Sequence, residues 1–511
     1  MNRNIPRTWL AALVVITALL SASWIEAAFL TLATTRLVTN TTGGKNQDPS
    51  IDKTGRLIVF TSNVDHERPS GIVFTPPGTF DFDGNGNGFT PPGAVDPNPS
   101  CVNCTPGNSG VGNLYLWREK KKGTLPANSF KQLTFSTAGG FAANQKPDLS
   151  QKGNLIAWDS DQDHTAGNAD GNREIFLLDV ATSAISQVTS TTGGSQSANR
   201  NASISGDGKL VVFESTRDFA AATCTLPDGV TACGNADGNV EVVLYKRATN
   251  SFVQLTSTTG GGTLANARPR ISDDGRFVAF QSTREFTGVL PGGTTCLGLD
   301  GTTACGNADG NGDIMLLDLK TNKLVQITNT APGGGCSGTT ANERVELSTK
   351  ANYLTWQSTC EGQLNPAGCG ACNGNDEIFL ASLKKKTVQQ LTISDGGYNR
   401  VPRVSGNGAY VIFESNRTYK TQNPSHGRTI FILKRSNGKA PTGKTSPSQV
   451  VEDASSALVQ NEKTQLTGTA ITGGFNSSIE QFGVSTNGRF ITFDNQKSVG
   501  NQEIWFVDGK K

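Results

Sequence analysis

Apolar residues in this chain fall in short runs of four to six, each entered through a glycine and left through a polar residue. The runs Gly55-Arg-Leu-Ile-Val-Phe60, Gly153-Asn-Leu-Ile-Ala-Trp158, Gly208-Lys-Leu-Val-Val-Phe213, Gly408-Ala-Tyr-Val-Ile-Phe413 and Gly488-Arg-Phe-Ile-Thr-Phe493 share one length and one closing aromatic. Such runs are too short for helices and rich in β-branched and aromatic residues, so they predict strands that leave tight turns. A further strand follows each, as in Glu174-Ile-Phe-Leu-Leu178, Glu241-Val-Val-Leu-Tyr245, Glu377-Ile-Phe-Leu380 and Glu503-Ile-Trp-Phe506. A last strand closes on Gln132-Leu-Thr134, Gln187-Val-Thr189, Gln254-Leu-Thr256, Gln326-Ile-Thr328, Gln390-Leu-Thr392 or Gln465-Leu-Thr467. One copy departs: Ala351-Asn-Tyr-Leu-Thr-Trp356 lacks the turn glycine, so Asn352 or another turn type is expected there.

Aligned on itself, the chain shows seven copies of this pattern, beginning near Gln47, Asn144, Asn199, Asn266, Asn342, Asn399 and Ser478. Internal repetition outranks local signals, and four-stranded units at this spacing stack as propeller blades. The last copy has no fourth strand of its own, whereas Arg36-Leu-Val-Thr39 precedes the first copy as a strand without a unit. The expectation is an all-β, seven-bladed propeller of four-stranded antiparallel blades, closed by pairing this N-terminal strand with the C-terminal blade. Six blades with a separate C-terminal hairpin is the runner-up. Residues 29–511 then form a single domain, interrupted by polar, Pro- and Gly-bearing surface insertions at 66–112 and 438–463.

The run Ser272-Asp-Asp-Gly-Arg-Phe-Val-Ala-Phe-Gln-Ser-Thr-Arg284, with a later Glu174-Ile-Phe-Leu-Leu-Asp179 strand, resembles the repeat of TolB-type, WD-repeat-like β-propellers over about residues 35 to 508. The resemblance implies a fold more than an activity, because the same repeat serves periplasmic scaffolds, peptidase propellers and sugar-processing enzymes. The family's proline before Asp-Gly is absent, and several of the loops are long and cysteine-bearing.

Composition narrows the setting. Glycine takes 59 of 511 positions and charged residues only 17%, which suits a turn-rich chain and excludes coiled coils. Arg3 and Arg7, the apolar run Trp9 to Leu20 and the small residues Ser21 to Ala28 read as a signal peptide over 1–28, its apolar core about a dozen residues where a span needs ~20. Cleavage near Ser23 leaves 43 basic residues against 43 acidic ones, so no bulk field draws nucleic acid or an anionic membrane. A periplasmic or secreted monomer without a membrane span is expected. The ten cysteines suit an oxidising compartment, pairing as Cys101/Cys104, Cys224/Cys233, Cys296/Cys305 and Cys369/Cys372, with Cys336 and Cys360 left over. Zinc is the competing reading, since the first and last pairs have ribbon-like ligand spacing, but the other two lack it.

The most unusual motif is Asn168-Ala-Asp170-Gly-Asn172-Arg-Glu174, repeated as Asn235-Ala-Asp237-Gly-Asn239-Val-Glu241 and Asn307-Ala-Asp309-Gly-Asn311-Gly-Asp313, with shortened relatives at Asn373–Glu377 and Asp81–Asn87. Alternating oxygen-bearing side chains about a glycine turn suit a hard cation such as structural calcium, and Asp161 and Asp163 are candidate extra donors. The alternative is a set of Asx turns without an ion, and the spacing is not that of an EF-hand. Arginines recur near the first strands as Arg200, Arg268, Arg344 and Arg400, and after the second as Arg217, Arg284 and Arg417. The first set is the candidate ligand-binding ring at the channel mouth, fit for an anionic peptide terminus or a carboxylated sugar. Its competing role is to pair with carboxylates such as Glu214, Glu285 and Glu414.

Nucleophilic catalysis has little support. His66, His164 and His426 sit in polar loops outside the repeat, where a surface role is expected, and no Gly-x-Ser-x-Gly elbow, zincin or phosphate-loop fingerprint occurs. The sequence therefore points to an exported, non-catalytic binding or scaffold protein engaging a protein or oligosaccharide through its channel mouth or long loops. The alternative is a hydrolase or lyase on polysaccharide or peptide, using a cation-assisted channel site.

Overall fold

The computed structural model describes residues 34–39, 44–63, 111–119, 130–136, 143–193, 199–219, 224–260, 266–286, 295–333, 336, 341–364, 374–394, 396–417, 429–434, 450–451, 463–465, 482–498 and 501–508. The expected signal peptide, His66, His426, Cys101, Cys104, Cys369, Cys372 and almost all of both insertions lie outside these residues. No helix among them is long and apolar enough to cross a membrane.

Each repeat forms an antiparallel meander whose strands run outward from an innermost one. Blade I is ordered Asn144–Leu149, Leu155–Ser160, Glu174–Asp179, Ile185–Gln187. Blades II to V repeat it from the inner strands Asn199–Ile204, Asn266–Ile271, Asn342–Leu347 and Asn399–Val404. Blades II and III each gain a fifth, parallel strand, Cys224–Thr225 and Thr295–Gly298. The innermost strands touch in succession, and the circuit closes from Asn399–Val404 through Phe482–Val484 to Gly44–Ile51.

Hydrogen bonding corrects the blade count. Five blade sheets stand alone, and neither seven nor six separate four-stranded blades are present, because the first and last repeats run together in one eight-stranded sheet. The cause is strand length: Gly44–Ile51 and Asn501–Asp508 each have eight residues where the blades' inner and third strands have six. The extra length lets Gly44 and Lys45 pair in parallel with Asn501 and Gln502, bridging two repeats that would otherwise only pack. On the same C-terminal strand, Thr34–Leu37 pairs antiparallel, Thr34 opposite Asp508 and Leu37 opposite Trp505. The two chain ends thus share one ladder, leaving no open edge on that strand.

The second and third strands are buried on both faces because each sheet packs against a neighbour on either side, which explains their continuous apolar runs. One inter-blade core joins Val59, Leu116, Ile156, Trp158 and Phe176 across the first repeat and blade I. The turns ahead of the second strand in blades I to V are tied by a serine hydroxyl accepting from the backbone N–H five residues on, as Leu155 N to Ser150 Oγ at 3.1 Å and Phe277 N to Ser272 Oγ at 3.0 Å, and in the first repeat Asp52 Oδ1 takes that place for Leu57 N at 3.1 Å. In blade IV the position normally held by glycine is Ala351 itself, at φ 51°, rather than Asn352. Its side chain is fully buried, and the surrounding blade holds it in a region unfavourable to residues with a Cβ.

Among the described residues three disulfides are formed. Cys224–Cys233 and Cys296–Cys305 close nine-residue spans in the connections of blades II and III, and the two cysteines left over by spacing, Cys336 and Cys360, join across 24 residues. Each staple contributes on the order of 2–4 kcal/mol.

Candidate functional site

Every inner strand of the first six repeats carries a β-bulge one residue after its asparagine (Asn46, Asn144, Asn199, Asn266, Asn342 or Asn399), seen as register shifts such as those between Gln47 and Ser50 and between Ala267 and Arg270. The residue two beyond that asparagine takes a left-handed backbone: Asp48, Lys146, Asn201, Arg268, Arg344 and Val401, with φ between 48° and 58°. The twist frees that residue's N–H to reach a polar side chain outside its own ladder. Arg268 N donates to Glu214 Oε2 at 2.7 Å, Asn201 N to Asp159 Oδ1 at 3.2 Å, and Val401 N to Gln357 Oε1 at 2.9 Å, each acceptor lying near the end of the preceding blade's second strand.

The bulge also selects which side chains line the axis. A cavity of about 140 Å³ is bounded by the third and fifth residues of the inner strands, among them Lys146, Arg268, Arg270, Arg344 and Arg403. A second, of about 110 Å³, is lined from all seven innermost strands and includes Asp148, Asp273 and Glu346. Arg268 pairs with Glu343, while Arg270 and Arg403 share Glu346 Oε1, Arg270 Nε lying at 2.7 Å. Lys146 Nζ donates to Asn201 Oδ1 at 2.7 Å. Burial, reinforced by the neighbouring Arg270 and Arg344 charges, works against the charged form of Arg403, and burial does the same to Arg270 against the attraction of Asp148 and Glu214. Around the axis Lys146, Arg268, Arg270, Arg344 and Arg403 therefore face Asp148, Asp273, Glu343 and Glu346, five cations to four carboxyl groups in a partly desolvated space.

Of the four arginines expected to form a ring, the structure brings only Arg268 and Arg344 to this cavity. Arg200 and Arg400 stand one position earlier, ahead of the bulge; Arg200 pairs with Glu214, and Arg400 pairs with Asp376 at 2.6 Å and lies over the Tyr398 ring. Arg270 and Arg403, which sequence reasoning missed, are two residues beyond the left-handed position, so counting in twos from a known channel-facing residue identifies them.

The Asn-Ala-Asp-Gly-Asn loops precede the third strands of blades I, II and III. In each, Gly171, Gly238 or Gly310 is left-handed, and its N–H closes a turn onto the carbonyl of Asn168, Asn235 or Asn307. Asp170 Oδ2 accepts from Gly193 N at 2.7 Å, Asp237 Oδ2 from Gly260 N at 2.6 Å, and Asp309 Oδ1 from Asn311 N at 3.0 Å. The acids two residues beyond serve the blade junction. Glu174 Oε1 accepts from the N–H and hydroxyl of Thr191, both at 2.6 Å, and its Oε2 accepts from Asn199 Nδ2 at 2.9 Å. Glu241 repeats this with Thr258 and Asn266, and Asp313 with Thr330 and Asn342. Burial raises all three, Asp313 to about 7. Asp163 is occupied capping the first loop through the N–H groups of Gly167 and Asn168, and Asp161 through Gln162 and Arg173. Among the described residues no three His, Cys, Asp or Glu side chains gather as a metal cluster.

His164 departs from its expected surface role: it packs edge-on against Trp158 and Phe176, and its Nε2 lies 2.8 Å from Asn144 Oδ1. Burial pushes it down to about 4, against the pull of Asp163. Its stabilising contribution is thus present above about pH 6.5, where the unfolded side chain is also neutral, and is lost as pH falls towards 4. The expected loss is at most about 3 kcal/mol, and H164F should flatten this part of a stability-versus-pH curve measured by denaturant unfolding.

No protein-family profile matches the chain, and no curated protein matches it. Solved structures that resemble it include TolB from Acinetobacter baumannii, at 12% identity over 78% of this chain and 76% of that one, TM-score 0.37. Oligogalacturonate lyase from Vibrio parahaemolyticus is similar at 11% identity over 93% of both chains, TM-score 0.45. The β-propeller domain of the Trilobed protease from Pyrococcus furiosus is similar at 8% identity over 92% and 96%, TM-score 0.47. The TolB resemblance of the repeat thus has counterparts among solved structures, but likeness at this level assigns no activity.

Proposed function

We propose that this chain is an exported β-propeller binding protein that captures a compact acidic group, the carboxylate of a peptide terminus or of an acidic oligosaccharide, at the channel section held by Arg268, Arg270, Arg344 and Arg403. The observation that carries the reading is the excess of guanidinium groups over carboxylates around a cavity of about 140 Å³. Guanidinium groups held by ion pairs with Glu343 and Glu346 are oriented before the ligand arrives, and an entering carboxylate replaces lost hydration with charge-assisted hydrogen bonds. The disulfides support export, since such bonds persist in oxidising compartments. Binding is read by calorimetry with a short peptide bearing a free C-terminal carboxylate and with a uronic acid oligomer, each beside its neutral amide or ester. The R268A/R344A variant is expected to weaken binding of the acidic probe at least tenfold, about 1.4 kcal/mol, with neutral probes silent throughout. Equal binding of acidic and neutral probes, or no change in the variant, overturns the reading.

A hydrolase or lyase is favoured by one feature, Asp273 in the adjoining cavity, which burial raises to about 6 while Thr349 Oγ1 donates to it at 2.7 Å. Product released from the bound uronic acid oligomer or peptide in the same experiment decides for that reading.

A further inference from the structure

The three Asn-Ala-Asp-Gly-Asn loops share a feature that turn geometry leaves unexplained. Asn168, Asn172, Asn235, Asn239, Asn307 and Asn311 are all between 1% and 7% exposed, and the side-chain oxygen of every one is buried without a hydrogen-bond donor. Each amide nitrogen donates to at least one carbonyl. Asn168 Nδ2 donates to Asn172 O at 2.9 Å, and Asn235 and Asn307 make the same bond at 2.8 Å to Asn239 O and Asn311 O. The second asparagine of each loop donates onward to Thr191 O at 2.6 Å, Thr258 O at 2.7 Å and Thr330 O at 3.0 Å. Rotating any of these amides half a turn would set its oxygen against a carbonyl oxygen, so the orientation is fixed by the network.

The same pair of unmatched amide oxygens therefore recurs in three separate loops, on either side of an aspartate. Six unmet acceptors at equivalent positions call for one common explanation, a bound water or an ion. What satisfies an acceptor is a donor or a cation, and here a carboxylate lies between the two oxygens in sequence. Backbone oxygens stand near by in the first two loops, where a Cβ on Gly171 or Gly238 would lie 3.9 Å from Asp161 O or Thr216 O, while at Gly310 nothing lies within 4 Å. Neutral amide oxygens, one carboxylate, carbonyls and water make up the all-oxygen shell preferred by calcium; magnesium demands a tighter octahedron and gives up its waters reluctantly.

We propose that each of the three loops binds one calcium ion through the side-chain oxygens of its two asparagines and the carboxylate between them: Asn168, Asp170 and Asn172; Asn235, Asp237 and Asn239; Asn307, Asp309 and Asn311. Glu174, Glu241 and Asp313 stay outside the set, engaged at the blade junctions. The ions lock the entry to the third strands at the end of the blades where the inner strands begin. The lock matters most in blade I, whose loop follows its second strand directly, whereas those of blades II and III follow the disulfides Cys224–Cys233 and Cys296–Cys305.

The test is calcium uptake by the full, disulfide-intact chain after chelator treatment, measured by equilibrium dialysis with elemental analysis and followed by thermal melting. Three ions per chain are expected, one fewer in D170N, and none in the D170N/D237N/D309N triple variant, with a melting rise on calcium addition that shrinks in the same order. D170N is nearly isosteric and keeps the reading testable should the triple variant fail to fold. No uptake at millimolar calcium, which would mean that water alone fills the loops, overturns the proposal, as does uptake unchanged in D170N.

Discussion

Replacing Glu503 by alanine is expected to loosen the join between the two chain ends and to cost about 2–4 kcal/mol of stability. Glu503 is fully buried, and its Oε2 accepts from the Thr39 hydroxyl and from Asn46 Nδ2, the latter at 3.3 Å. Thr39 Oγ1 in turn accepts from Ile504 N at 2.8 Å, and Val38 N donates to Ile504 O at 2.8 Å. Alanine removes the acceptor and leaves two buried donors unmet, which is costlier than never having made the bonds. The effect should be local at first: amide exchange at Val38 and Thr39 accelerates while that of Phe277 to Phe280 in blade III is unchanged. Uniform acceleration across all blades, or none at Val38, contradicts this account of the closure. Release of Thr34–Leu37 also uncovers one edge of the last strand, so the variant should self-associate more readily.

The second large effect is expected in blade IV. Trp356 is fully buried, its ring stacks on Phe379 with centroids 5.8 Å apart, and its Nε1 donates to Asn342 Oδ1 at 3.3 Å. It packs in one core with Leu316 of blade III and Ala381 of its own blade, so it fills the seam between two sheets. Trp356→Ala should lower stability by about 3–5 kcal/mol in equilibrium denaturant unfolding, and Trp356→Phe by clearly less, since it keeps an aromatic ring against Phe379 and loses the N–H and part of the ring volume. A loss under about 1 kcal/mol for the alanine variant would mean that the seam collapses around the gap.

The repeat itself was legible because each copy carries the same turn and the same doubly buried runs, and these follow from local chemistry. How the sheets are partitioned was not. That depends on two strands being long enough for Gly44 and Lys45 to reach Asn501 and Gln502, a register between chain ends that no local pattern encodes. The channel was half legible for a related reason. Arg200 and Arg268 look equivalent in sequence but stand on opposite sides of a bulge, which sends one to Glu214 and the other to the axis. Spacing paired the nine-residue cysteines, whereas Cys336 and Cys360 meet only once the end of blade III reaches the start of blade IV. The oxygen-rich loops were visible as a motif; the unmatched asparagine oxygens require knowing where each amide nitrogen goes.

The left-handed residue of each inner strand has an evolutionary consequence. Asp48, Lys146, Asn201, Arg268, Arg344 and Val401 share one backbone geometry while their side chains range from acidic through neutral to basic. The main-chain bonds of Asn201, Arg268 and Val401 to the preceding unit do not depend on their own side chains, whereas Lys146 N donates to the side chain of Asp48. Selectivity can therefore drift by exchange at single letters of a six-letter word, with the scaffold indifferent to the spelling at Asn201, Arg268 and Val401 and tied to it at Asp48.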